Sequence, residues 1–381
     1  MSRYDVAAYF VPSYTSREPR SNNFWPEGYG EWEIIKNAVP KFPGHLQPRR
    51  PLWGYTNDAD PYVAQMHIQA ALDHGVNVFT YVWYWFDARP YQEQVLNEGI
   101  LKARNNNQIK FYLMWANHDA TNMYDLRNSH DNDTVIWKGA VNRIDFEYMS
   151  QRLIDKYFLL PNYYKLNGAP VFMIYDVANL VRGLGGADDA RRALDGFRDR
   201  AVRAGLPGLH LQLTFWSEKM TNLSGVDGGR DLPAYEMIRA LGFDSITHYQ
   251  YVHFTDTGRA YPEILADVAR EWADIDAKSS VPYFPHVTLG WDNNPRYKAL
   301  TGGIMRDNTP ENIEKALIMA REYANAHTAQ PPLITINAWN EWPESSYLMP
   351  DDLNGYGYLE AIRRVFGTTE RRDEHNIAFI R

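Results

Sequence analysis

The feature that most constrains this 381-residue chain is an eightfold alternation of short apolar runs and amphipathic stretches of helical spacing. The predicted strands are 5–11, 76–83, 109–115, 170–175, 209–214, 245–248, 281–287 and 333–338. The predicted helices are 61–74, 93–105, 146–158, 187–204, 232–240, 261–276, 309–326 and 357–366. In 309–326, Ile313, Ala316, Leu317 and Ala320 recur at three and four residues behind Thr309-Pro310, an N-cap and first-turn pair. Strand–helix alternation repeated eight times predicts an α/β fold, a single (β/α)8 TIM-type barrel spanning 1–381. A doubly wound open sheet is the competing architecture, but no Gly-rich phosphate loop follows an early strand. Between the first strand and the first helix lies a long aromatic-rich insertion, 12–60, expected to wall the barrel mouth. A polar C-terminal tail, 367–381, is expected to pack or fray outside the barrel.

Composition narrows the function. The net charge of −8 argues against a general nucleic-acid binder, which needs a basic face. With no cysteine, thiolate metal sites, disulfides and cysteine nucleophiles are excluded. No H-E-x-x-H or clustered His pattern points to catalytic zinc, and neither a metal nor another cofactor is expected. No apolar run is long enough to span a membrane, and residues 1–11 do not read as a signal peptide. The expected compartment is therefore the cytoplasm, or an export compartment reached with a signal this sequence does not carry. Oligomeric state is not legible. The 12 Trp and 26 Tyr offer flat apolar faces with a polar edge, the surface on which sugar rings stack.

In a barrel of this kind, functional side chains stand just beyond the C-terminal strand ends. Those positions carry Tyr84 and Trp85, then Trp115, Asn117 and His118, then Asp176, Trp216 and Tyr251. The seventh strand leads to Trp291, Asp292 and Arg296, and the eighth to Asn340-Glu341-Trp342-Pro343-Glu344. Aromatics alternate with carboxylates and amides, as a carbohydrate substrate would require. Arg296 suits an acidic sugar, or a salt bridge with Asp292. Glu341 and Glu344 are no more than about 11 Å apart at Cα even in an extended chain. Pro343 disfavours helix at Trp342, so both carboxylates are expected on an irregular loop. Cleaving a glycosidic bond needs a proton donor for the leaving oxygen and a second group at the anomeric centre. Two adjacent Glu flanked by Trp339 and Trp342 can divide those roles.

Asn340-Glu341-Trp342-Pro343-Glu344 resembles the N-E-W-x-E signature of glycoside hydrolase family 99, whose members are retaining endo-acting α-mannosidases. The chain is still more similar to the WbsX-type proteins of bacterial polysaccharide gene clusters. The shared segments are Gly30-Glu31-Trp32, Gln47-Pro48, Tyr84-Trp85-Phe86, Trp115-Ala116-Asn117, Trp291-Asp292-Asn293 and Tyr356-Gly357-Tyr358-Leu359. The resemblance implies a (β/α)8 barrel and a glycoside hydrolase cutting an α-linked polysaccharide or oligosaccharide. It further implies retention through attack by the substrate's own 2-hydroxyl, with a 1,2-anhydro sugar intermediate. Glu341 would be the base for that hydroxyl and Glu344 the acid and then base. The sequence departs from the pattern at His118, where Glu is common, at Met349, and at Pro343. Two other readings stand beside this one. A glycosyltransferase or polysaccharide-assembly protein would bind a nucleotide diphosphate, through D-x-D patterns such as Asp58-Ala59-Asp60 or Asp131-Asn132-Asp133. A non-catalytic carbohydrate-binding barrel would hold glycans without cleaving them.

Overall fold

The computed structural model describes residues 3–122, 134–223, 226 and 232–367. Eight parallel strands form a barrel. They are β1 (Asp5–Phe10), β2 (Val78–Phe86), β3 (Lys110–Trp115), β4 (Ala169–Ile174), β5 (His210–Thr214), β6 (Ser245–Thr247), β7 (Tyr283–Phe284 and His286–Thr288) and β8 (Leu333–Asn337). Each strand pairs in parallel with the next, and β1 pairs with both β2 and β8. The seventh strand completes the ring in two pieces. Its first piece pairs with β6 and its second with β8. Pro285 lies between the pieces. It has no N–H to give to a ladder, while its carbonyl accepts from the Thr335 N–H at 3.0 Å.

The helices are α1 (Trp32–Asn37), α2 (Pro61–Asp73), α3 (Arg143–Leu153), α4 (Val177–Leu184), α5 (Ala187–Arg203), α6 (Ala234–Leu241), α7 (Tyr261–Lys278), α8 (Pro310–Ala326) and α9 (Gly357–Phe366). In α8, Thr309 caps the N-terminus and Ile313, Ala316, Leu317, Ala320 and Ala324 are buried, the stripe its spacing requires. The predicted helix 93–105 differs. It forms a π-helical turn, Val95–Gly99, and a single tight turn, Ile100–Lys102. A Cβ on Gly99 would stand 2.3 Å from the Asp58 carbonyl oxygen, so chain crowding shapes this stretch.

Several polar side chains inside the barrel are hydrogen-bonded to one another or to the backbone. The Tyr9 hydroxyl donates to the His248 carbonyl at 2.9 Å, and that of Tyr112 to Gln212 Oε1 at 3.2 Å. Thr247 and Thr335 share a hydrogen bond of 2.7 Å, and His286 Nδ1 lies 2.9 Å from the Thr335 hydroxyl. Most buried polar groups in folded proteins are paired in this way.

The segment from Pro12 to Asp60 ties strand ends together. Glu18 Oε2 accepts from the Gln92 N–H beyond β2, His45 and Gln47 reach Asp292 beyond β7, and Arg50 reaches Asp352 beyond β8. No helix among the described residues is long and apolar enough to cross a membrane. Tail residues 368–381 lie outside the described residues.

Candidate active site

Just beyond β8 the chain folds back as a small hairpin. Asn340–Glu341 pairs antiparallel with Ser346–Tyr347, and Trp342–Glu344 forms a single 3-10 turn between them. The expected irregular loop is thus a defined turn. Pro343 sits in its first positions, where a missing N–H costs nothing. Ser345 closes the turn at φ +55°.

The hairpin puts Glu341 and Glu344 in contrasting surroundings. Glu341 is 5% exposed, and its Oε2 accepts from the Tyr249 hydroxyl at 2.6 Å and from Asn337 Nδ2 at 2.9 Å. Gln250 Nε2 in turn donates to Asn337 Oδ1 at 2.9 Å. Burial pushes the Glu341 carboxyl up from its ordinary range, and the Tyr249 bond and Arg296 draw it back. Glu344 has a 17% exposed side chain, and its Oε2 has no hydrogen-bond partner. Burial and the neighbouring Glu341 push its carboxyl well above the ordinary range. Arg296 Nη2 lies 3.8 Å from Glu344 Oε1, while Nη1 donates to Glu31 Oε1 at 3.0 Å. The pair therefore comprises one carboxyl whose donors offset part of the effect of burial and one, with fewer donors, more strongly disposed to keep a proton.

One wall of the mouth is a chain of rings. Tyr84 meets His118 at 5.8 Å, His118 meets Tyr175 at 5.7 Å, and Tyr175 meets Trp216 at 5.2 Å. Trp216 stacks on His253 at 5.3 Å, and Tyr175 meets Tyr249 at 5.2 Å, which brings the wall to Glu341. Tyr84, His118, Tyr175 and Trp216 are all half-buried. His118 Nδ1 lies 3.0 Å from the Asp119 carbonyl, to which it donates, and burial pushes the ring's pKa down. Tyr84 and His118 also line a small cavity with Ser13, Phe24 and Gln92.

Several residues singled out from sequence stand elsewhere. Trp85 and Trp115 are fully buried, against Tyr148 and Phe146 of α3 respectively. Trp342 is fully buried between Trp32 and Tyr347, the latter stacked at 3.7 Å, and Trp339 donates to His67. Tyr251 is buried with its hydroxyl on the His286 carbonyl. Asn340 acts as a backbone clasp, accepting from the Val11 N–H at 2.7 Å and donating to the Val11 carbonyl at 2.9 Å. Asn117 clasps the backbone of Asp176 in the same manner, and the Asp176 carboxylate caps α4 at the Asn179 N–H. Asp292 pairs with His45, Gln47 and Asn294 rather than with Arg296, which organises its loop. Trp291 is half-buried against the core. Three residues that sequence reading did not select belong to the site: Tyr249, Asn337 and Glu31. Their signal was position alone, Tyr249 and Asn337 at strand ends and Glu31 in the Gly-Glu-Trp segment.

Of the two D-x-D patterns, Asp131-Asn132-Asp133 lies outside the described residues. In the other, Asp60 caps α2 and Asp58 is buried beneath Asn340. Among the described residues no group of three or more His, Asp or Glu is placed to hold a metal ion.

A family model described as Glycosyltransferase WbsX matches residues 6–362. The chain belongs to the WbsX family. By sequence the chain is similar to the uncharacterized protein WxcX of Xanthomonas campestris pv. campestris, 26% identical over 374 residues. That match covers 94% of this chain and 49% of WxcX, so the chain spans about half the length of the curated relatives it matches. In structure, the chain is similar to the GH99 endo-α-mannosidase from Bacteroides thetaiotaomicron, with a TM-score of 0.59 at 16% identity. The match covers 94% of this chain and 95% of that one. A glycoside hydrolase-like protein is similar to the same degree, with a TM-score of 0.58 at 16% identity over 97% of this chain and 95% of its own. At such identities the likeness carries the barrel fold alone.

Proposed function

We propose that this WbsX-family chain is a glycoside hydrolase that cleaves an α-linked bond in a polysaccharide or oligosaccharide with retention. One observation carries the reading: two adjacent carboxyl groups beyond β8, one held by Tyr249 and Asn337 and the other with a bare oxygen and a raised proton affinity. The likeness in fold to an endo-α-mannosidase supports an α-linked glycan as the substrate class.

In this reading Glu341 takes the proton of the substrate's 2-hydroxyl. That oxygen attacks C1, the bond from C1 to the leaving oxygen breaks, and Glu344 gives the leaving oxygen its proton. The product of this step is a 1,2-anhydro sugar. Water then attacks C1, passing a proton to Glu344, as the bond from C1 to the 2-oxygen breaks and Glu341 returns its proton to that oxygen. Two inversions at C1 give retention. An intramolecular nucleophile gains from proximity, and no enzyme carboxylate bonds to carbon, so carboxylate spacing does not set the stereochemistry. Tyr84, His118, Tyr175 and Trp216 supply the faces and edges for sugar rings. The family's description favours a second reading, a glycosyltransferase. Calorimetric titration with nucleotide diphosphates separates the two, since the hydrolase reading requires no such binding. Exposure of the protein to a polysaccharide library, with mass analysis of products, tests the first directly.

A further inference from the structure

Glu31 takes no part in the steps above, yet it is built into the site with care for its position. Gly30 before it has φ +62°, and a Cβ there would stand 1.8 Å from the Ser13 carbonyl oxygen. The Glu31 N–H donates to that same oxygen at 2.9 Å. Trp32 after it is fully buried against Tyr14 and Trp342. The backbone of Glu31 is thus fixed on both sides. Its side chain is 2% exposed and that of Arg296 6% exposed. The one guanidinium spans two carboxyl groups unequally, hydrogen-bonded to Glu31 at 3.0 Å and 3.8 Å from Glu344.

We propose that Glu31 is a positioning residue for the acid–base pair: it draws the Arg296 guanidinium away from Glu344, so that Glu344 keeps the proton it gives to the leaving oxygen. The proposal rests on the hydrolase reading of that pair. A guanidinium given wholly to Glu344 would form a charge-assisted pair and leave the site with no acid. The charged and titratable groups facing Glu344 are Glu341, Glu31 and Arg296, with Tyr249 against Glu341 and the Gln250 amide also near. Those facing Arg296 include Glu31, Glu341, Glu344 and Tyr14. Neutralising Glu31 removes a negative neighbour of Glu344 and releases a positive one, and both changes weaken the hold of Glu344 on its proton.

The test is a carboxyl titration of the full chain carrying 13C-labelled glutamate, with the Glu344 signal assigned by its loss in Glu344→Gln. In Glu31→Gln the Glu344 midpoint should fall by about one pH unit or more. In Glu31→Gln/Arg296→Met it should return to the wild-type midpoint or above, because the buried charge pair is removed together. The double variant removes both members of the Glu31–Arg296 pair, so neither is left buried without the other, and it carries the test if the single variant fails to fold. An unchanged Glu344 midpoint in folded Glu31→Gln overturns the proposal, as does a midpoint below wild type in the double variant. The titration needs no substrate. If the midpoints move as stated while no glycan is cleaved, the hydrolase reading fails and the coupling stands.

Discussion

Tyr249 donates its phenolic proton to Glu341 across 2.6 Å, joining the aromatic wall of the mouth to the carboxylate proposed as the base. Tyr249 itself is held by ring contacts with Tyr9 at 4.9 Å and Tyr175 at 5.2 Å. Position and charge state of Glu341 are therefore set by β1, β4 and β6 as well as by its own hairpin.

Tyr249→Phe keeps those ring contacts and removes the bond. Glu341 loses a donor that favours its ionised form, so its carboxyl rises further. The acidic limb of the pH–rate profile should move to higher pH, and kcat/KM at neutral pH should fall by about 10- to 100-fold. Steady-state rates across pH check both.

Trp216→Ala removes a half-buried ring from between Tyr175 and His253. The proton-transfer groups are untouched. KM should rise by about three- to tenfold with little change in kcat, measured on the same glycan.

Asn340→Ala should act on stability. It strips the partners from two buried backbone groups of Val11. Each buried group left unsatisfied costs about 1–3 kcal/mol. Urea denaturation should show a loss of about 2–4 kcal/mol.

Asp58 should give the protein a pH-dependent stability. Burial raises its carboxyl to about 8, with Thr56 and Asn340 as its donors. The unfolded carboxyl ionises near about 3.9. Between those values the native state holds a proton that the unfolded state has lost. Stability should therefore fall as pH rises from about 4 to about 8, by up to about 1.4 kcal/mol per unit, and then level. Asp58→Asn should make that slope shallower by the Asp58 share, which thermal midpoints of both proteins across this range will show.

Much of this architecture is legible in the residues. The apolar runs fall on the eight barrel strands, and the caps at Asp60 and Thr309 start their helices. The break of β7 at Pro285 is not legible, because the run 281–287 reads as one apolar strand. Strand alternation explains part of the site. Tyr112 reaches Gln212 inside the barrel, so Trp115, three positions on, faces the helices instead. The same rule fails after β6. Tyr249 and Tyr251 share a parity, but a tight turn over Tyr251–His253 redirects the second ring into the core. Glu31 was hidden for a different reason. Its partner Arg296 is 265 residues away, and only tertiary folding brings them together.

The central claim is that Glu341 and Glu344 act together on one glycosidic bond, and hydrolysis by single amide variants tests it most directly. On a glycan the wild-type chain cleaves, Glu341→Gln and Glu344→Gln should each lose about 10²- to 10⁴-fold in rate. Their thermal midpoints should not fall, because each substitution keeps the shape of the side chain and adds no buried charge. Wild-type turnover in either variant would contradict the account.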